Sequence, residues 1–189
     1  MTLEKKIFLC VLLPFISSCT FVTVEGPDLL TGADSIVEIE FVESAPKDRF
    51  IITNAGACVL EELMVELDLS QSAGMLIFDT SAEGAGVEVF QPFEVEEGNI
   101  VQLATDSVND GDTELALRNT DLSPGDMASF AIDVDDTLPK GELGQIRVTD
   151  SEISGATVGV TVGDSEMKLA EFDNGSLASV KLPVCPPAQ

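Results

Sequence analysis

One stretch, Arg49–Ser70 (RFIITNAGACVLEELMVELDLS), constrains the fold more than any other. Phe50 and Ile52 alternate with Ile51 and Thr53, and Asn54-Ala55-Gly56 then breaks the run. A second run follows, with Leu63, Val65, Leu67 and Leu69 on one side and Met64, Glu66 and Asp68 on the other. A period of two is the pattern of a half-buried antiparallel strand, because successive side chains point to opposite faces. Asn54 and Gly56 suit a loop with positive φ. The stretch predicts strand, loop, strand at the edge of a β-sandwich.

The same rhythm recurs along the chain. Ser35–Val42 alternates, with Val37, Ile39 and Phe41 inward and Glu38 and Glu40 outward, before a turn at Ala45–Asp48. Met75–Phe78 reads as buried on both faces, and Val87, Val89 and Phe93 point one way along VEVFQPFE. Pro92 lacks a ladder donor, which makes that segment an edge or the place where the chain leaves the sheet. Ile100–Ala104 and Leu115–Leu117 are short strands, and Ala128, Phe130, Ile132 and Val134 give the cleanest alternation. Ile146–Val148 and Val158–Val162 follow. Met167–Phe172 and Leu177–Leu182 flank Asp173-Asn174-Gly175, and Asn-Gly is a strong hairpin signal. Short strands with turns about every ten residues, and no convincing amphipathic helix, predict an all-β fold: a single antiparallel, immunoglobulin-like β-sandwich. The predicted organisation is a signal peptide at 1–18, a tether at 19–34 and the sandwich at 35–189.

The start reads as an export signal. Lys5 and Lys6 precede the apolar Ile7–Ile16, which is too short to span a bilayer. Ile16-Ser17-Ser18-Cys19 is similar to a bacterial lipobox, which would place lipid on Cys19; ordinary secretion with cleavage near Ser18–Thr20 is the alternative. By resemblance, Thr20 after the cysteine favours the outer membrane. With Cys10 gone with the signal and Cys19 lipidated or removed, Cys58 and Cys185 are left to form a disulfide outside the cytoplasm.

Asp and Glu number 34 against 9 Lys and Arg, a net charge of -25. Such a surface excludes nucleic acid as a natural partner, since that binding neutralises phosphates with basic groups. It suits solubility in salt, divalent cations or a basic partner. The chain has no His, Trp or Tyr. Triad hydrolysis through histidine, His-based zinc or haem sites, and stacking lectin sites therefore fall away.

Three acidic clusters are predicted in loops: Asp106, Asn109, Asp110 and Asp112; Asp133, Asp135 and Asp136; Asp150 and Glu152. Calcium takes six to eight oxygens at about 2.3–2.6 Å, and loops at one end of a sandwich can gather them. Asp133 and Asp135 share a face by alternation, and Asp136 falls just past the strand. A calcium site drawn from Asp110, Asp112, Asp133, Asp135 and Asp136 is the leading metal expectation, although the spacing is not that of an EF-hand. No carboxylate pair is singled out for glycoside hydrolysis, and the serines lack a base other than lysine.

Several stretches together resemble the exported proteins of marine bacteria termed "aggregation factor core". They are Ala45–Phe50, Asn54-x-Gly56-x-Cys58, Leu76–Asp79, Gly84–Phe93, Asp110–Asp112, Ile132–Thr137 and Ile153–Ala156, in that order over most of the chain after the signal. The resemblance implies a role in surface adhesion, the family being named after a calcium-dependent cell-aggregating proteoglycan of sponges. The lipobox-like start and the acidic C-terminal half depart from the family. The turn Ile52-x-Asn54-x-Gly56 also resembles bacterial immunoglobulin-like modules. The expected function is thus an exported, non-enzymatic surface module, with calcium as its one expected cofactor. Its expected partner is a surface protein, a glycan or a second copy, and it meets membrane only through a lipid on Cys19. The alternatives are a metal-independent acidic binding domain, periplasmic or secreted, and a carboxylate-dependent hydrolase.

Overall fold

The computed structural model describes residues 35–103, 108–140, 143–145 and 147–183, all within one compact unit. The signal and tether, Cys19 and Cys185 lie outside the described residues. Among the described residues no helix is long and apolar enough to cross a membrane.

Strand β1 (Ser35–Val42) pairs with β2 (Arg49–Asn54) across the Ala45–Asp48 turn. Together with β12 (Leu177–Leu182), β8 (Met127–Ala131) and β5 (Glu94–Glu97) they make a sheet in the order β12-β1-β2-β8-β5. The second sheet runs β11-β10-β3-β7-β6, from β11 (Lys168–Glu171), β10 (Thr157–Val162), β3 (Leu60–Asp68), β7 (Glu114–Leu122) and β6 (Ile100–Gln102). Every pairing described is antiparallel. The inward residues of both sheets enter one core: Val37, Ile39 and Val180 from the first, Val65, Leu117 and Val158 from the second. The molecule is an all-β antiparallel sandwich, as the alternation predicts.

Within that core Phe50 is the hub. Its ring lies 5.1 Å from Phe41, 5.2 Å from Phe130 and 6.3 Å from Phe172, so it joins β1, β2, β8 and the end of β11. Phe93 adds a further ring 5.1 Å from Phe130.

Asn54 and Gly56 serve the β2–β3 loop differently from the expectation, for neither has positive φ. Asn54 is fully buried and brackets three segments: its side-chain amide donates to the carbonyls of Cys58 and Leu122 (2.7 and 2.8 Å), and its side-chain oxygen accepts from Gly56 N–H. Gly56 is small because Ser35 lies against it; an added Cβ would sit 2.8 Å from the Ser35 Cα. Positive φ falls instead on Glu62, where the strand re-phases so that Leu60 and Leu63, three apart, are both buried.

Four further expectations need correction. Met75 is 60% exposed, so only Leu76 and Phe78 of that run are core. Residues 87–93 are not a strand; the edge strand is β5, just beyond Pro92. No strand forms at Val148, which instead precedes a one-turn helix, α1 (Asp150–Ile153). Finally, the Asn174-Gly175 turn does not close a hairpin. β11 pairs with β10 and β12 with β1, so this turn carries the chain from one sheet to the other. Asp173 makes the corner by accepting the N–H groups of Gly175 and Leu177, a local solution that does not require its flanking strands to pair.

The aromatic hub generates a stability prediction. Phe50→Ala removes a fully buried ring touching three others, and should cost about 3–5 kcal/mol. Urea unfolding followed by circular dichroism should show the midpoint fall without a change in slope.

Candidate metal centre

The remaining pairing in the fold is a two-stranded ribbon, β4 (Ile77–Asp79) with β9 (Asp133–Asp135). β9 continues directly from β8, so the Ala128–Val134 alternation runs out of the first sheet and into the ribbon. On one ribbon face Phe78 and Val134 are directly opposed and fully buried in the apolar core. Period two then puts Asp79, Asp133 and Asp135 on the other face. Alternation of this kind ordinarily sends the polar face to water. Here it does not: Asp79 and Asp133 have no exposed surface and Asp135 has 1%.

The cover comes from residues 80–93, between β4 and β5. Val87 N–H donates to Asp79 Oδ2 (3.0 Å) and to Asp135 Oδ2 (2.8 Å). Gly86 lies flat on the same two carboxylates, and a Cβ there would collide with both. Asp110 fastens the start of this segment, accepting the N–H groups of Thr80 (2.9 Å), Ser81 (3.1 Å) and Ala85 (2.5 Å). On the other side of β9, Asp48 is fully buried and accepts Ser44 N–H (2.8 Å) and Val134 N–H (3.1 Å).

Asp79 and Asp133 are register partners across the ribbon, and carboxyl oxygens of Asp79, Asp133 and Asp135 all lie within 4.8 Å of one another. Like charges directly opposed on a strand pair are destabilising, and burial multiplies the effect. The carboxyls are displaced accordingly. Burial first, then the charges of Asp48, Asp135 and Asp79, push Asp133 up to about 8. Burial, together with Asp110 and Asp135, pushes Asp79 up to about 7. Burial likewise raises Asp135, against the pull of Val87 N–H, and raises Asp48 to about 7. Asp110 is the exception: although burial opposes its charge, the N–H groups of Ala85, Thr80 and Ser81 and a bond from Asp79 hold it below the usual range.

Hydrogen bonds satisfy only part of this cluster. Neither carboxyl oxygen of Asp133 has a partner among the described residues, nor does Asp135 Oδ1 or Asp136 Oδ2. A buried polar atom without a partner costs about 1–3 kcal/mol, and more when charged. An ion on Asp133 would remove that cost, whereas a proton would remove the charge and leave both oxygens unpartnered. Three carboxylates with oxygens inside 4.8 Å match a sphere of calcium–oxygen radius about 2.4 Å, and calcium tolerates irregular oxygen sets better than magnesium.

The expected ligands divide accordingly. Asp133 and Asp135 come together, though in a buried strand rather than in a loop. Asp136 is buried beside them but turns to accept Leu138 N–H (3.0 Å) and lies outside the three-carboxylate group. Asp110 reaches Asp79 but spends its oxygens on the covering segment, and Asp112 caps its own turn by accepting Asn109 N–H (2.7 Å). Glu152 accepts Thr149 N–H (2.7 Å) as the capping box of α1. Asp106 lies outside the described residues. Asp79 is the residue the sequence reading missed. Its signal was Phe78-Asp79 at the end of an apolar run, an apolar residue followed by Asp as in Val134-Asp135, but only the strand pairing sets Asp79 against Asp133.

No protein-family model matches the chain, and no curated protein shows significant similarity to it.

The raised carboxyls fix the sign of a pH effect. Groups whose pKa is higher in the fold than in the unfolded chain hold extra protons in the fold, so stability falls as pH rises. In chelator, the melting temperature should drop between about pH 4 and pH 8, the window set by the ordinary aspartate value and the values of Asp79 and Asp133. Asp133→Asn should flatten that slope and raise the melting temperature at pH 8. Calorimetry or circular dichroism is the readout, as no Trp or Tyr is present for fluorescence.

Proposed function

We propose that this protein is an exported, non-enzymatic surface module of the adhesion type, whose fold is completed by calcium held between Asp79, Asp133 and Asp135. The observation that carries the reading is Asp133: fully buried, opposite a second aspartate, with both oxygens unpartnered. A ligand set with no more than 1% exposure is closed to a substrate. That favours a structural ion over carboxylate-dependent hydrolysis, which needs its acids at the scissile bond. Bound calcium offsets two of the three negative charges and supplies the partner that Asp133 otherwise lacks.

The adhesion role rests on the resemblance in the sequence and on the acidic surface, which suits a basic surface protein or a cation-bridged glycan. Export, and lipid on Cys19, rest on the N-terminal sequence alone. The Cys58–Cys185 link belongs to the same reading. Cys58 takes the role of a disulfide half rather than a free thiol. What supports the link is that Leu182, three residues before Cys185 in the sequence, pairs with Ser35, which lies against Gly56 in the loop that carries Cys58.

Calcium at about 100 times its Kd adds about 2.7 kcal/mol to the stability of a protein that binds it only when folded. For a domain of this size that is a rise of roughly 5–10 °C in melting temperature. Melts at pH 7.5 with calcium, and with magnesium at equal ionic strength, should show this rise for calcium only, and Asp133→Asn should abolish it. Equal rises with both ions, or none, would assign the cluster to shared protons and leave a metal-independent acidic module.

A further inference from the structure

The segment that covers the three aspartates has almost no structure of its own. Residues 80–93 run between β4 and β5 without a strand or helix. Its ends are well held: Thr80 and Ser81 bond to Asp110, Gln91 accepts Asp133 N–H (3.0 Å), and the Phe93 ring packs on Phe130. Among the described residues its middle is held by two backbone N–H groups on carboxylates, Ala85 N–H on Asp110 and Val87 N–H shared between Asp79 and Asp135. Gly86, between them, has room for a hydrogen only because those carboxylates lie beneath it.

We infer that residues 80–93 form a strap closed by the same cation, so that calcium occupancy controls whether the stretch 82–89, exposed except at Gly86 and Val87, is presented in one fixed shape. The inference rests on the calcium reading above and adds its consequence. Calcium draws Asp79 and Asp135 together and holds their outer oxygens where a single N–H, that of Val87, can meet both. Without it, nothing ties together three carboxylates whose oxygens lie within 4.8 Å of one another, and the seat of Val87 and Gly86 on two of them comes apart. The core is spared, because Phe78 and Val134 occupy the opposite ribbon face. Glu83, Glu88 and Val89 are exposed on the strap, Val89 by 43%, so its shape is legible to a partner. Among the described residues, the charged groups that act on the triad from outside it are Asp48, Asp110 and Asp136, all acidic, so none of them substitutes for the cation.

The test is digestion with a glutamate-specific protease, with cut sites identified by mass spectrometry. Glu83 and Glu88 report on the strap, and Glu166, exposed in the β10–β11 connection, reports on everything else. Calcium should slow cleavage after Glu83 and Glu88 about tenfold relative to Glu166, and magnesium at equal ionic strength should not. Asp133→Asn should lose the protection. Gly86→Ala, which pushes a methyl group into the two carboxylates, should be cut rapidly at the strap even in saturating calcium while keeping its far-ultraviolet spectrum. A calcium-raised melting temperature with unchanged strap cleavage would overturn the strap and leave the metal centre standing. No change in either measurement would overturn both.

Discussion

Asp79 faces Asp133 across two paired strands, with no exposed surface on either. Everything distinctive about the molecule follows from that juxtaposition. Two carboxyls directly opposed, with a third two residues along, cannot all be ionised and dry without a counter-charge. Their protons are held up to about 7 and about 8 by burial and mutual repulsion. At neutral pH the arrangement is therefore poised between sharing protons and holding a cation. Proton sharing leaves the two oxygens of Asp133 with no acceptor or donor in reach, whereas a divalent ion engages all three residues at once.

The rest of the sandwich makes such a site tolerable. The ribbon's other face is anchored by Phe78 and Val134 in a core shared by both sheets. Asp48 clamps β9 from the β1–β2 turn through Val134 N–H and, with its own carbonyl, Ile132 N–H (3.0 Å). The carboxyls thus cannot relax by letting β9 drift. Relief is left to the covering segment, whose middle is held through aspartate carboxylates. A rigid ribbon beneath a loosely held strap is a natural arrangement for coupling ion binding to surface shape, because only the strap can respond.

Much of this was legible in the sequence and some was not, for definite reasons. Alternation located β1, β2, β3, β8 and β10 and their inward faces, since each has one apolar side, and turn chemistry located β12 without its face. It also placed Asp133 and Asp135 together. It failed to show that both faces of β9 are buried, because burial of the polar face depends on 80–93, a segment with no periodicity beyond a misleading Val-x-Val. Asp79 was invisible for a similar reason: a three-residue strand carries too little pattern, and its meaning lies in a partner more than fifty residues away. The Asp173–Gly175 turn misled because local turn chemistry specifies a reversal but not which strands pair afterwards.

The central claim is that one cation sits among Asp79, Asp133 and Asp135. Crystals grown in calcium and then exchanged into a lanthanide test it most directly, through anomalous scattering. The account predicts one strong peak about 2.3–2.6 Å from oxygens of all three residues, beneath Gly86. It would be contradicted by peaks confined to surface carboxylates, with oxygens of Asp79 and Asp133 drawn to about 2.5–2.7 Å of each other, the spacing of a shared proton.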